Sequence, residues 1–453
     1  MNVSRKFHLR SYGCQMNLLD SELVASKLVQ AGYRPAENED EAGILLFNTC
    51  SVRDHAENRV WSKLGALRAR KDKEPDLFIG VLGCMAQEHK IFLRTRMPHV
   101  DLVCGTMDFA KIDEYIDSIR EKKEGLVRTG DEASGDLVER DVKLRPNRAQ
   151  AYVNIIRGCN MPCTYCIVPA TRGLEVSRPI AEILPEVENL VSDGVTEITL
   201  LGQTVNAYGH DLPGKQNLAK LLRQLHVLPA LRRINFITSH PNFLTRELME
   251  TMAELPRVSR YFHLPAQSGS NDVLQRMKRL YTREKYLARI RDLRELIPDM
   301  EFASDWIVGY PGETEEDHEQ TMSLMEEVRF SQSYVFKYSP RPLTVADDYF
   351  EDDVPEDVKA RRNQDLLEIQ NRISREKNQA LLGRVVEVLV EGPSKKKGDG
   401  RYQGRTQRNR IVHMEGIGED QVGCYLPVRI ETAMHHSLIG TPVDDEDENI
   451  LSA

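Results

Sequence analysis

Along the first 120 residues, short apolar runs alternate with longer segments of helical periodicity. Strand-like runs fall at 6–12, 43–48, 77–82 and 100–103, and helical segments fit near 17–31, 54–69, 87–94 and 108–120. Such alternation predicts an α/β domain, an open parallel sheet with helices on both faces. Further along, strand-like segments begin near 151, 195, 233, 261, 301 and 333, with helical patterns such as 181–192, 217–228, 283–296 and 315–328 between them. Six such repeats predict an incomplete (β/α)6 barrel rather than a full eight-fold one. A charge-rich helical stretch from Pro355 to a stop at Gly383 then leads into VVEVLVEG, GRYQGRTQRNRIVHM and GCYLPVRIE. These alternate apolar and polar positions between glycine-rich turns, the pattern of a small β-barrel. The expected domains are 1–140, 145–380 and 383–447.

Composition narrows this picture only a little. The chain has 453 residues, 40% apolar and 29% charged, enough for several cores and against global disorder. Its 61 Lys+Arg and 70 Asp+Glu give a formal charge of -9, so a nucleic-acid partner has to be met by a local basic surface. The segment 384–410 is such a place, with eight Lys/Arg against three Asp/Glu, a local charge of +5. Lys395, Lys396, Lys397, Arg401, Arg405, Arg408 and Arg410, around Tyr402, are candidate RNA contacts, the alternative being a solvated charged loop. No uncharged apolar run approaches the roughly 18 residues of a spanning helix, and the opening residues lack the apolar stretch of a signal peptide. A cytoplasmic protein without membrane contact is expected, where cysteines serve more often as ligands, redox groups or fillers than as disulfides.

The cysteines carry the sharpest signal. Cys159, Cys163 and Cys166 stand as C-x3-C-x2-C in RGCNMPCTYC, on the loop after the first barrel strand. Chance places a given triplet of this kind in only about 0.003 of chains with this cysteine content. Structural zinc, the competing reading, takes four ligands, and no histidine or fourth cysteine follows Cys166 closely. Three thiolates on a four-iron cluster leave one iron open to a small chelating molecule.

Cys14, Cys50 and Cys84 each follow a predicted strand end directly. In an open parallel sheet the carboxyl ends share one edge, where ligands bind, so these three can converge on one ligand despite gaps of 36 and 34 positions. The alternative is three unrelated buried thiols. Cys104 also follows a strand and reads as a filler, with a fourth-ligand role left open. Cys424, on an alternating pattern, is expected in a core.

The segments GCQMN, NTCSVR and GCMAQ, followed by RGCNMPCTYCIVPATRG, resemble the methylthiotransferase branch of the radical S-adenosylmethionine enzymes. The likeness continues through GLEVSRP, LLGQTVNAYG, TSHP, HLPAQSGS and SDWIVGYPGET, and the basic C-terminal barrel is similar to a TRAM domain. It implies two [4Fe-4S] clusters with three Cys ligands each, one on Cys159, Cys163 and Cys166 and one on Cys14, Cys50 and Cys84. S-adenosylmethionine at the first yields a 5′-deoxyadenosyl radical, and the second offers sulfur at its open iron. The implied product is 2-methylthio-N6-dimethylallyladenosine beside the tRNA anticodon. An aromatic C–H at adenine carbon 2 is beyond any side-chain base at neutral pH, which agrees with radical chemistry.

The same resemblance implies tRNA, through its anticodon stem-loop, as partner. It also implies a flavodoxin- or ferredoxin-like electron donor and proteins supplying sulfur and iron–sulfur clusters. Candidate cofactor contacts are Tyr165 on the triplet loop, Gly202, Gln203 and Asn206 after the second strand, Ser239 and His240 after the third, and Gly309. Each has a plainer reading as a packed ring, a helix cap or a turn. Two departures from the family pattern are Leu343, where a glycine is expected, and Cys104, in place of an aromatic residue. Two alternatives stay open: the same chemistry on threonylcarbamoyl-adenosine or on a ribosomal aspartate, and a non-enzymatic iron–sulfur or zinc RNA-binding scaffold.

Overall fold

The computed structural model describes residues 5–51, 54–130, 140–145, 147–394, 400–444 and 450–451. They fall into two compact units. The first comprises residues up to 146 with 157–160 and 167–175, and the second comprises 147–156, 161–166 and everything from Val176 onward.

In the first unit the strands are β1 (Lys6–Tyr12), β2 (Arg34–Pro35), β3 (Ile44–Thr49), β4 (Phe78–Gly83), β5 (Leu102–Cys104) and β6 (Leu126–Arg128). They form one all-parallel sheet in the order β2-β1-β3-β4-β5-β6. Helices α1 (Gln15–Gln30), α2 (Asp54–Lys73), α3 (Cys84–Arg96) and α4 (Ile112–Lys122) connect them. Alternation along the central strands sorts side chains to opposite faces. Leu45, Phe47, Ile79 and Val81 pack against Val60, Leu64 and Leu67 of α2 on one side. Ile44, Leu46, Leu82 and Leu102 pack against Val24 and Leu28 of α1 and Ile112 and Ile116 of α4 on the other. The short β2 and β6 are missed by periodicity because two or three residues are too few to show a period.

Register is what matters for function. Tyr12 pairs with Thr49 and Thr49 with Gly83, so three strands end side by side.

In the second unit, strands Gln150–Asn154, Glu197–Leu201 and Arg233–Phe236 form one parallel sheet, and Tyr261–His263, Glu301–Val308 and Gln332–Lys337 another. A parallel bridge between Ile234 and Val258 links the two. Six parallel strands with intervening helices make the expected open barrel. Phe236, Phe262 and Phe302, from successive strands, stack edge to face in its core with ring centroids 5.6 and 6.3 Å apart. Helix Glu356–Gln379 leads to strands Val385–Pro393, Tyr402–Arg405, Ile411–Met414, Tyr425–Ala433 and Leu438–Pro442, which close on one another as a five-stranded barrel.

This small barrel seats itself on the amino ends of the larger barrel's strands. Arg233, buried at its strand start, donates to the carbonyl of Thr406 at 3.2 Å and pairs with Glu197 at 3.0 Å. Arg408 pairs with Asp299 at 2.7 Å and Arg410 with Glu301 at 2.8 Å. Cys424 is exposed, contrary to the core position expected. It stands just before the strand Tyr425–Ala433, where a turn and not the alternation sets its direction.

Candidate functional site

Cys14, Cys50 and Cys84 each lie within two residues of the aligned strand ends. The backbone there admits little else. A Cβ on Gly13 would sit 2.2 Å from Asn17 Oδ1 and 2.8 Å from Cys50 Cβ. Gly83 has φ +92°, and a Cβ there would lie 2.3 Å from Asn48 Oδ1, so both GC pairs need their glycine.

Two buried asparagines tie the edge together. Asn17 Nδ2 donates to Asn48 Oδ1 and to the Thr49 carbonyl, both at 3.3 Å, while Asn48 Nδ2 donates to the Asn17 carbonyl at 2.9 Å. Cys14 caps α1, and its amide donates to Asn17 Oδ1 at 3.2 Å.

The three thiols share one electrostatic environment. A hydrogen bond from the Cys50 thiol, reinforced by the Arg172 charge and the Asn17 and Met16 amides, overrides burial and lowers the Cys14 pKa to about 6. Burial pushes Cys84 the other way, against a hydrogen bond and charge from the same Arg172 and with repulsion from Cys14. Arg172 is buried and pairs with Asp20 at 2.7 Å. The donor set is soft, thiol-rich and faced by a guanidinium, as an iron–sulfur cluster with net negative charge requires. Cys104 stands apart. It pairs with Leu82, inside the sheet and not beyond its end, and packs among Leu28, Phe109 and Ile112. Burial there holds its thiol well above the usual range. Its packing is that of a core residue.

The triplet loop threads both units. In the first, the Cys159 amide donates to the Gly173 carbonyl at 3.1 Å, and Thr106 Oγ1 to the Thr171 carbonyl at 2.7 Å. In the second, Thr164 donates to the Arg276 carbonyl at 2.9 Å and bonds the Tyr310 hydroxyl at 2.7 Å. Buried Arg279 reaches Cys163 Sγ at 3.2 Å and the Tyr165 hydroxyl at 3.3 Å, and its remaining N–H groups go to Tyr281 and the Pro265 carbonyl.

The cofactor candidates divide. Gln203 Oε1, Ser239 Oγ and His240 Nε2 are buried polar atoms without a partner on loops at the carboxyl ends of the second and third strands. That is where barrel chemistry resides, and a ligand rich in hydroxyl, amino and carboxylate groups satisfies such atoms. Burial, with Arg279 and Lys285 nearby, lowers the His240 pKa to about 2, so its ring is neutral at any working pH. Asn206 is spent internally, exchanging bonds with the His240 backbone at 2.8 and 2.9 Å. Gly202 allows close approach to Ile156, and the Gly309 amide is taken by Glu313. Tyr165 packs against Tyr310 and Met277, the plainer reading of its ring.

Of the basic candidates, Arg401 pairs with Glu415 at 2.6 Å and Arg405 with Glu391 at 3.1 Å. Arg408 and Arg410 hold the small barrel in place through the pairs already given. Lys395, Lys396 and Lys397 lie outside the described residues. Arg172 and Arg279 escaped sequence reasoning. Arg172 stands in the PATRG segment, where it marked only a family resemblance, and no spacing ties Arg279 to Cys163.

Three family models match: Uncharacterized protein family UPF0004 over residues 6–105, the Radical SAM superfamily over 153–325 and the TRAM domain over 379–443. A tRNA-2-methylthio-N(6)-dimethylallyladenosine synthase of Moorella thermoacetica is 43% identical over 446 residues, covering 98% of this chain and 100% of that protein. Its counterpart in Rhodopirellula baltica is 42% identical, covering 97% and 96%. Among solved structures, the radical S-adenosylmethionine methyltransferase TsrM of Kitasatospora setae matches with a TM-score of 0.54 at 14% identity over 76% of this chain and 75% of that one. The cobalamin-dependent S-adenosylmethionine radical enzyme OxsB matches at 0.51 and 12%, over 81% and 56%. These two show the fold alone.

Proposed function

The chain belongs to the tRNA-2-methylthio-N6-dimethylallyladenosine synthase family of radical SAM enzymes, and from that premise we propose how its own residues divide the work. It is a methylthiotransferase acting on N6-dimethylallyladenosine of tRNA. Among the described residues no helix is long and apolar enough to cross a membrane.

Cys159, Cys163 and Cys166 hold one four-iron cluster, and Cys14, Cys50 and Cys84 hold a second. Bound there with S-adenosylmethionine, these groups supply the radical and sulfur chemistry that no side chain offers. The protein's part is placement. Arg279 anchors Cys163 and Tyr165, which fixes the triplet loop. Gln203, Ser239 and neutral His240 take the polar end of S-adenosylmethionine. Asn17 and Asn48 hold the strand ends in register, and Arg172 offsets the negative charge of the second trio. Lys395 to Lys397 and Arg401 meet the phosphates of the anticodon arm next to the modified adenosine. A flavodoxin- or ferredoxin-like donor and a sulfur-supplying protein complete the cycle.

The observation that carries this reading is the aligned strand ends, which bring Cys14, Cys50 and Cys84 into one charged environment around Arg172. It is tested by a Cys14→Ala, Cys50→Ala, Cys84→Ala variant assayed on prenylated tRNA. The expected result is reductant-dependent cleavage of S-adenosylmethionine with no methylthio product. Product formation at the native rate would refute a sulfur-delivering role for the trio.

A further inference from the structure

The chain around Arg279 alternates between interior and surface. Met277, Arg279 and Tyr281 are buried, whereas Lys278 and Leu280 between them are exposed, Leu280 to 60%. Both exposed residues hold left-handed backbone, with φ of +53° and +61°. A leucine is strained in that conformation, and here no burial offsets the strain, a local cost of the kind kept where function uses it. Leu343 repeats the pattern at φ +70° and 58% exposure, with Val345 exposed after it. Among the described non-glycine residues of positive φ, these two leucines alone are apolar.

Both segments lie against the triplet loop. The Thr164 amide donates to the Met277 carbonyl at 3.2 Å, and the Ala346 amide to the Thr164 carbonyl at 2.8 Å. Met277 and Ala346 belong to one buried cluster, with Tyr165 packed against it. Arg279 donates to Cys163 Sγ at 3.2 Å, so a single side chain separates exposed backbone neighbours from that sulfur. Charge adds to the contrast. Residues 276–285 carry five Lys/Arg against one Glu, in a chain of formal charge -9. Arg276 and Arg283 are paired with Asp317 and Glu327, and Lys278 has no such partner among the described residues.

We propose that Lys278 and Leu280, flanked by Leu343 and Val345, form the docking surface for the electron donor, a small acidic one-electron carrier protein. This rests on the reading of Cys163 as a cluster ligand. In the step the carrier loses one electron and is oxidised, the cluster gains it and is reduced, and no bond breaks. Electron transfer weakens steeply with distance, so the donor needs a place where the surface comes close to the cluster. Arg279 marks that place. The apolar side chains supply contact, and Lys278 draws in an acidic partner and sets its orientation. Electron-transfer encounters bury little area, so a few exposed side chains suffice. RNA phosphates gain nothing from exposed leucines, which favours a protein partner here over the tRNA.

The test compares reduced flavodoxin with dithionite as electron source for S-adenosylmethionine cleavage by the reconstituted full-length enzyme. Lys278→Glu and Leu280→Asn are the variants, since neither new residue is worse suited to the left-handed backbone than the one it replaces. Calorimetry gives the flavodoxin affinity and filter binding the tRNA affinity. Each variant is expected to bind flavodoxin about tenfold more weakly and to lose about tenfold in flavodoxin-supported rate relative to the dithionite-supported rate. The native affinity should fall with added salt, and that of Lys278→Glu should fall less. Equal losses with both reductants, native flavodoxin affinity in both variants, or no flavodoxin binding by the native enzyme would overturn the proposal. A loss confined to tRNA affinity would assign the surface to RNA and overturn it too. Absence of dithionite-supported cleavage in the native enzyme would instead refute the cluster on Cys163, and the docking surface with it.

Discussion

The two cysteine trios reach the same donor set by opposite routes. Cys159, Cys163 and Cys166 are neighbours in the chain, and one loop delivers them. Cys14, Cys50 and Cys84 are distant in the chain and are assembled only by the register Tyr12, Thr49 and Gly83. Each trio also has a buried arginine at one sulfur, but the charge is handled differently. Arg172 is paired with Asp20, so its charge is already partly offset before any cluster binds. Among the described residues Arg279 meets only Cys163, two tyrosyl hydroxyls and a carbonyl, and no carboxylate joins it. The loop trio thus faces a guanidinium without a carboxylate partner, whereas the strand-end trio faces one half of an ion pair.

The largest break in that comparison comes from the ligands themselves. Cys163→Ser should abolish reductant-dependent cleavage of S-adenosylmethionine while leaving the iron of the first-unit trio in place, as measured by single-turnover assay and iron analysis.

Arg172→Leu comes next. Leaving Asp20 buried and unpaired should destabilise the protein by about 3–5 kcal/mol in chemical denaturation, and the double change Arg172→Leu, Asp20→Asn should recover part of the loss. A single change with no measurable effect would show that the pair is not buried in solution.

A smaller effect sharpens the contrast at the other arginine. Arg279→Gln removes an uncompensated charge, so the reduction potential of the radical centre should fall by on the order of 60 mV, a tenfold shift for one electron. Arg279→Lys should fall less, in titrations followed by electron paramagnetic resonance.

The smallest effect concerns the seat of the small barrel. Burial pushes the Glu301 carboxyl up, but Lys377 and Arg410 outweigh it and hold its pKa below the usual carboxylate range. A depressed pKa means that the stabilisation is present at neutral pH and above the unfolded value, and is lost as pH falls through the folded value. Native protein should therefore lose stability below about pH 4, the ordinary glutamate value, and Glu301→Gln should flatten that limb. Thermal unfolding at stepped pH measures it.

Legibility followed the same division. The loop trio was plain in spacing alone. The strand-end trio was readable because each cysteine directly follows an apolar run, which periodicity detects well. Cys424 was misplaced because alternation gives a strand's faces but not where its preceding turn ends. Arg172 and Arg279 stayed hidden, since a buried cation is invisible until packing shows what surrounds it. The basic run at 384–410 was legible as a charge count, but sequence does not show that Asp299 and Glu301 stand opposite Arg408 and Arg410.

The central claim is that three strand-end thiols share one metal centre separate from the loop triplet. Anaerobic reconstitution followed by iron counting and Mössbauer spectroscopy, on the native chain and the Cys14→Ala, Cys50→Ala, Cys84→Ala variant, tests it directly. Loss of half the iron with an intact four-iron spectrum in the remainder is the predicted result. Native iron content in the variant would contradict it.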